Sequence, residues 1–142
     1  DIICYNGFCS VHQLFDEEDI AFYRAKYPDI LIATHPECKV EVCDASDFVG
    51  STSQIIEYVK KLPIEQKVAI GTEYNMIKRL REENTYVLSS SKPECPTMNE
   101  TTLEDVYNTL LSIKEERFDN EITISEETRV WAYAALNRMF EI

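Results

Sequence analysis

Glycine is scarce in this chain, and so are the other marks of a loose or repetitive polypeptide. Of 142 residues, 3 are Gly and 5 are Pro, while 44% are hydrophobic and 28% charged. That balance excludes a low-complexity linker or a disordered tail, which are poor in large apolar side chains. Basic residues are few as well. With 14 Lys and Arg against 26 Asp and Glu, the net charge is −12, so no nucleic-acid partner is expected. No apolar run approaches the roughly 20 residues of a membrane-spanning helix, so no membrane partner is expected. Only 2 His are present, and both fall in short polar clusters.

The chain has 5 Cys, at positions 4, 9, 38, 43 and 95. An odd count at uneven spacings does not fit a secreted disulfide framework. A reducing, cytoplasmic setting is expected, with some thiols buried and others available to metal. The length suffices for one ordinary domain. The chain opens on Asp1, and Asp1-Ile2-Ile3-Cys4 reads as a strand already under way, so preceding sequence is expected.

Apolar runs and helix caps alternate. Ile2-Ile3-Cys4-Tyr5 reads as a strand, followed by a helix capped by Asp16 and running to about Lys26. Glu17, Glu18 and Asp19 lie in its first turn, where the helix dipole favours acids. Ile30-Leu31-Ile32-Ala33 is a continuous apolar run, the pattern of a strand covered on both faces. A short helix is expected over Lys39–Ala45 and a brief strand at Asp47-Phe48-Val49. Ser51 and Gln54 form a capping box for the next helix, whose inner face is Ile55, Ile56 and Val59. Val68-Ala69-Ile70 predicts a strand, Thr72 a cap, Glu73–Glu83 a helix, and Tyr86-Val87-Leu88 another strand. Thr101 with Glu104 suggests a further capping box, Glu121-Ile122-Thr123-Ile124 a strand, and Ser125 the cap of a final helix through Met139.

Strands alternating with helices imply a parallel sheet with helices on its faces. The expected fold is α/β, a Rossmann-like three-layer αβα domain over residues 1–93 with a short parallel sheet. Residues 94–142 are expected to hold a loop and a helix–strand–helix segment. In such a sheet every loop leaving a strand's C-terminal end lies on one edge, where ligands bind. The loops of Cys9, His35, Ser51, Thr72 and Cys95 all leave in that direction.

Each cluster has a chemical and a bland reading. Cys9 and His12 can be a ligand pair or a nucleophile with its base, or a small buried apolar group beside an ordinary histidine. His35-Pro36-Glu37 holds an imidazole and a carboxylate two residues apart around a rigid proline, a pair able to polarise a carbonyl and move a proton, or simply a surface histidine with an ordinary acidic neighbour. Gly50-Ser51-Thr52-Ser53 opens a helix and can bind a phosphate or carboxylate through free N–H groups, or simply cap it. Gly71-Thr72-Glu73 is a weaker case of the same kind. Cys95 lies in the polar loop Pro93-Glu94-Cys95-Pro96-Thr97-Met98, where iron–sulfur thiolates often sit beside proline. Cys4, Cys38 and Cys43 read as structural.

Taken together, these motifs closely resemble the quinolinate synthase family. The matching residues are Gly7-Phe8-Cys9-Ser10-Val11-His12, Tyr27-Pro28-Asp29, His35-Pro36-Glu37-Cys38, Phe48–Ile56, Val68–Glu73, Cys95-Pro96-Thr97-Met98 and Ala135–Met139. Their order matches over essentially the whole chain, as the C-terminal half or so of a protein of three similar αβα domains. The resemblance implies that each domain gives one cysteine to a central four-iron–four-sulfur (4Fe-4S) cluster. Cys9 and Cys95 would be two ligands, the third coming from the N-terminal remainder of the same protein. It further implies condensation of iminoaspartate with dihydroxyacetone phosphate to quinolinate, in NAD biosynthesis. His35, Glu37 and His12 would be catalytic and line the cavity. Ser51 and Thr52 would hold the substrate phosphate or a carboxylate, and Met98 would contact substrate. The helix–strand–helix tail would complete another domain, and the segment alone would be inactive. No extra disulfide is expected near Cys95, where Lys92 and Glu94 stand. Two alternatives stay open: a non-enzymatic Rossmann-like module binding a small phosphorylated metabolite at Ser51-Thr52, and a purely structural half-domain.

Overall fold

The computed structural model describes residues 7–141. The expected strand at residues 2–5, with Cys4, lies outside the described residues. Contacts divide the chain into two units, one ending at Glu100 and the other beginning at Thr101.

The first unit is built on a four-stranded parallel sheet, β1 (Leu31–Thr34), β2 (Phe48–Val49), β3 (Val68–Gly71) and β4 (Thr85–Val87), in the order β2-β1-β3-β4. The helices are α1 (Glu17–Lys26), α2 (Val40–Asp44), α3 (Thr52–Lys61) and α4 (Tyr74–Ile77), with a short 3-10 helix at His12–Leu14. Successive side chains of a strand point to opposite faces, and the cores follow that alternation. Ile32 and Ala69 pack with Phe15, Ile20 of α1, Val42 of α2 and Leu88. Ala33, Val68 and Ile70 pack with Ile55 and Val59 of α3 and Ile77 of α4. The two clusters make the three-layer αβα arrangement expected from sequence. Each fully buried Ile or Val contributes about 1.5–3 kcal/mol relative to exposure.

Polar groups tie these elements together. The Asp47 side chain accepts the Ile32 N–H at 2.8 Å and lies 3.3 Å from the Arg24 guanidinium, so one carboxylate joins α1 to β1. The Ser51 N–H donates to Gln54 Oε1 at 2.8 Å, the expected box at the start of α3.

Two sequence expectations shift in this unit. Thr72 does not cap the helix after β3. Glu73 takes that place, its Oε2 accepting the Met76 N–H at 3.1 Å, because the Thr72 hydroxyl is committed elsewhere. The helix expected through Glu83 stops at Ile77. Beyond it the Arg81 guanidinium donates to the carbonyls of Pro63 and Gln66, each at 2.6 Å, and Asn84 turns the chain with φ 58°.

The second unit holds α5 (Leu103–Lys114) and α6 (Glu126–Met139). The cap of α5 is Thr102 with Asp105, one residue beyond the expected Thr101–Glu104 box; Asp105 Oδ2 accepts the Thr102 N–H at 2.8 Å. Ser125 caps α6 as expected, its Oγ accepting the Thr128 N–H at 3.1 Å. The strand expected at residues 121–124 does not form. Its alternation fits an extended chain, but a strand exists only through a pairing partner, and no strand is present among the described residues of this unit.

Candidate active site and metal centre

The C-terminal ends of the strands carry the polar residues singled out from sequence. β3 ends at Gly71, whose carbonyl accepts the His35 N–H at 3.1 Å and so fixes the residue after β1. A Cβ at Gly71 would come within 2.9 Å of Thr34 Cγ2. Only the missing side chain lets the two strand ends lie this close. His12 arrives from the 3-10 helix, and its ring stacks on His35 with centroids 4.4 Å apart and planes 13° from parallel.

His12 is 7% exposed, and its Nε2 lies 3.1 Å from the Thr72 hydroxyl. Its Nδ1 is buried 3.0 Å from Glu37 Oε2, with no hydrogen-bond partner among the described residues. Burial holds the His12 pKa below the usual 6.5, the neighbouring His35 adds to that, and the Glu37 carboxylate partly opposes it. His35 Nδ1 accepts the Glu37 N–H at 3.3 Å and lies 3.7 Å from Glu37 Oε2. One half-exposed carboxylate therefore serves two stacked imidazoles.

Cys9 completes the cluster. Donor atoms of Cys9, His12 and Glu37 all lie within 4.8 Å of one another. An open cavity of about 570 Å³ is lined by Gly7, Phe8, Cys9, Gln13 and Glu37. A second cavity of about 390 Å³, around Tyr27, Pro28, Gln66 and Lys67, is lined by neither His nor Cys.

Ser51 and Thr52 stand exposed after β2, and the Gly50 N–H donates to the Thr34 carbonyl at 3.0 Å, beside His35. The N–H groups of Thr52 and Ser53 lie in the first turn of α3, where no helical carbonyl reaches them. The loop of Cys95 is tied to the start of α4. The Tyr74 N–H donates to the Pro93 carbonyl at 2.9 Å and Asn75 Nδ2 to Asn99 Oδ1 at 2.8 Å. Cys95 Sγ is 3.2 Å from the Thr97 hydroxyl. That hydrogen bond, with backbone N–H groups of Met98 and Thr97, holds the thiol below its usual pKa. Met98 is exposed at the end of this loop. Cys38 is the opposite case, since burial among core residues pushes its thiol up to about 12. Burial raises Cys43 as well.

One residue of this cluster differs from its expected role. Thr72, expected as a helix cap or a weak anion contact, is the buried hydrogen-bond partner of His12. The signal available was its place after a Gly at a strand end, which marks the rim but not the partner.

The sequence model of the family described as Quinolinate synthetase A protein matches residues 1–141. The chain belongs to this family. Quinolinate synthase from Helicobacter pylori strain HPAG1 is 56% identical, over 100% of this chain and 44% of its own length. Those of Rhodopirellula baltica and Clostridium perfringens strain ATCC 13124 are 39% and 38% identical, each over 99% of this chain and over 37% and 46% of their own lengths. The chain thus spans less than half the length of these quinolinate synthases. No described helix is long and apolar enough to cross a membrane.

Proposed function

We propose that this chain carries cluster-binding and acid–base parts of a quinolinate synthase, acting in NAD biosynthesis in the cytoplasm. The observation that carries the reading is the meeting of Cys9, His12, His35 and Glu37 at the C-terminal edge of the sheet, in a chain whose relatives bear that name. The donor chemistry fits a 4Fe-4S cluster. Cys9 lines the cavity, and the thiolate of Cys95 is stabilised by hydroxyl and N–H donors. Cys38, held as a neutral thiol in the core, does not suit a ligand. Cys9 and Cys95 would hold the cluster, with the third cysteine supplied by the N-terminal remainder of the same protein. When bound, a cluster with one open iron supplies Lewis acidity toward a substrate oxygen.

The other residues work on protons and on charge. The Glu37 N–H occupies His35 Nδ1, which leaves the proton of a neutral imidazole on Nε2, free to meet a carbonyl oxygen. Glu37 Oε2 lies 3.0 Å from His12 Nδ1, so a carboxylate that removes a carbon-bound proton has a nitrogen beside it with which to exchange it. His35 and Glu37 are thus the acid–base pair for enolisation and dehydration as iminoaspartate and dihydroxyacetone phosphate condense. His12, held neutral by burial, supports that exchange from behind. Ser51 and Thr52 take the phosphate of dihydroxyacetone phosphate, or a carboxylate, on first-turn N–H groups and hydroxyls. Met98 packs against bound substrate beside Cys95. The second unit, with the loop before it, would complete another domain, so the segment alone is inactive.

Anaerobic reconstitution of the full-length protein tests this. The brown iron–sulfur absorbance should vanish in Cys9→Ala and in Cys95→Ala. His35→Ala and Glu37→Gln should keep the colour and lose quinolinate formation by on the order of 10²–10⁴. Colour retained in both cysteine variants overturns the reading, and phosphate binding that survives them favours a non-enzymatic metabolite-binding module.

A further inference from the structure

We propose that Cys9, His12 and Glu37 form a mononuclear site for a zinc-class divalent cation in the cluster-free protein. Such an ion takes thiolate, imidazole and carboxylate ligands about 2.0–2.3 Å from the metal, which places the ligand atoms within a few ångströms of each other. Here the donor atoms of Cys9, His12 and Glu37 lie within 4.8 Å of one another. His12 Nδ1 and Glu37 Oε2 are already 3.0 Å apart.

The second observation is the unsatisfied nitrogen. His12 is 7% exposed, and its Nδ1 has no hydrogen-bond partner among the described residues although a carboxylate oxygen stands beside it. With the ring proton on Nε2, the Nδ1 lone pair faces the carboxylate, and a positive charge between the two would satisfy both. A metal ion supplies that charge. The far side of the ring is arranged accordingly: Nε2 lies 3.1 Å from the Thr72 hydroxyl, and with the ring proton on Nε2 donated to that oxygen, Nδ1 is the atom left to take a metal. Ligating histidines ordinarily have their second nitrogen held in this way. Cys9 lines the open cavity, which leaves a fourth position for water. Binding converts the Cys9 thiol to thiolate and releases its proton to solvent.

The site shares Cys9 with the proposed cluster, so one occupant excludes the other. That competition rests on the reading of Cys9 as a cluster ligand; the cation site does not. Cys95 separates the two, because the cluster needs it and the cation site leaves it out.

The experiment titrates Co²⁺ into the full-length, iron-free protein under anaerobic conditions. One Co²⁺ per chain should bind, with thiolate-to-cobalt charge transfer and the strong d–d bands of a four-coordinate ion, and Zn²⁺ should displace it. Cys9→Ser should abolish the charge-transfer band. Glu37→Gln, a change at a half-exposed side chain that spares the fold, should weaken binding at least tenfold. Thr72→Val should weaken it about ten- to a hundredfold. Cys95→Ser should leave spectrum and affinity unchanged while abolishing cluster assembly. Zn²⁺ added first should block the brown absorbance until a chelator removes it. The proposal is overturned by a wild-type protein without charge transfer, by unchanged affinity in Glu37→Gln, or by loss of the signal in Cys95→Ser. If Cys95→Ser still assembles a cluster, the cluster assignment fails and the cobalt result stands by itself.

Discussion

His12 Nε2 and the Thr72 hydroxyl meet at 3.1 Å, buried, across 60 residues of chain. This bond holds the 3-10 helix of His12 against the end of β3, and so places one imidazole over the other. Thr72→Val keeps the shape and removes the hydroxyl. A buried ring nitrogen left without its partner costs about 1–3 kcal/mol, and chemical denaturation of the full-length protein should read that loss. A change within about 0.5 kcal/mol, the range of an ordinary surface substitution, would falsify the placement of this bond.

The same histidine makes stability depend on acid. Burial first, then His35, hold its folded pKa below the ordinary 6.5 of the unfolded chain, while Glu37 pulls the other way. Above that ordinary value both states are neutral and the contribution to stability is complete. As pH falls below it, the unfolded chain takes a proton that the folded chain refuses. Stability then declines, by at most about 1.4 kcal/mol per pH unit for this one group, until the folded pKa is reached. Glu37→Gln removes the opposing influence and should carry the decline to lower pH. Urea denaturation across the weakly acidic range, with NMR titration of the imidazole, measures both. A His12 resonance titrating at or above the ordinary value would contradict the assignment.

The thiols should react in a set order in the iron-free protein. Cys95 is held below its usual pKa by the Thr97 hydroxyl first and by nearby N–H groups, while burial pushes Cys38 up to about 12. Alkylation follows the thiolate population and access. Peptide mass spectrometry after brief iodoacetamide treatment should find Cys95 modified at least about tenfold ahead of Cys38. Thr97→Val should narrow the gap. Equal labelling of the two would show that neither environment is as described.

How far the sequence could be read follows the range of the interactions. β1 and β3 were legible because a strand covered on both faces needs a continuous apolar run, and Ile30–Ala33 and Val68–Ile70 are such runs. The start of α3 was legible because Ser51 and Gln54 satisfy each other locally. Two adjacent threonines each have an acid three residues on, so the pattern that suggested Thr101 with Glu104 fits Thr102 with Asp105 equally, and the backbone takes the second. The short α4 was not legible, since the carbonyls that hold Arg81 come from Pro63 and Gln66. Within the site, the rim residues could be placed by the direction of their loops. The stacking of His12 on His35 and the partnership with Thr72 are contacts between distant segments, and no local pattern encodes them.

Gly71 ties packing to chemistry. Its φ needs no glycine, but space does: a Cβ would meet Thr34 Cγ2 at 2.9 Å and Leu88 Cδ2 at 3.3 Å. Both neighbours are fully buried, so neither can swing into solvent. Gly71→Ala should therefore cost about 1–3 kcal/mol, the usual range for an overpacked core. The consequence reaches beyond stability, because the Gly71 carbonyl accepts the His35 N–H at 3.1 Å and Thr72 follows directly. Separating β1 from β3 moves His35 and the partner of His12 together. At a temperature where Gly71→Ala remains folded, its imidazole resonances should shift as a pair. Ile70→Val, a core change of similar chemical size one residue earlier, costs about 0.5–1.5 kcal/mol and should leave those resonances in place. Shifts of equal size in both variants would mean that the glycine serves the core alone.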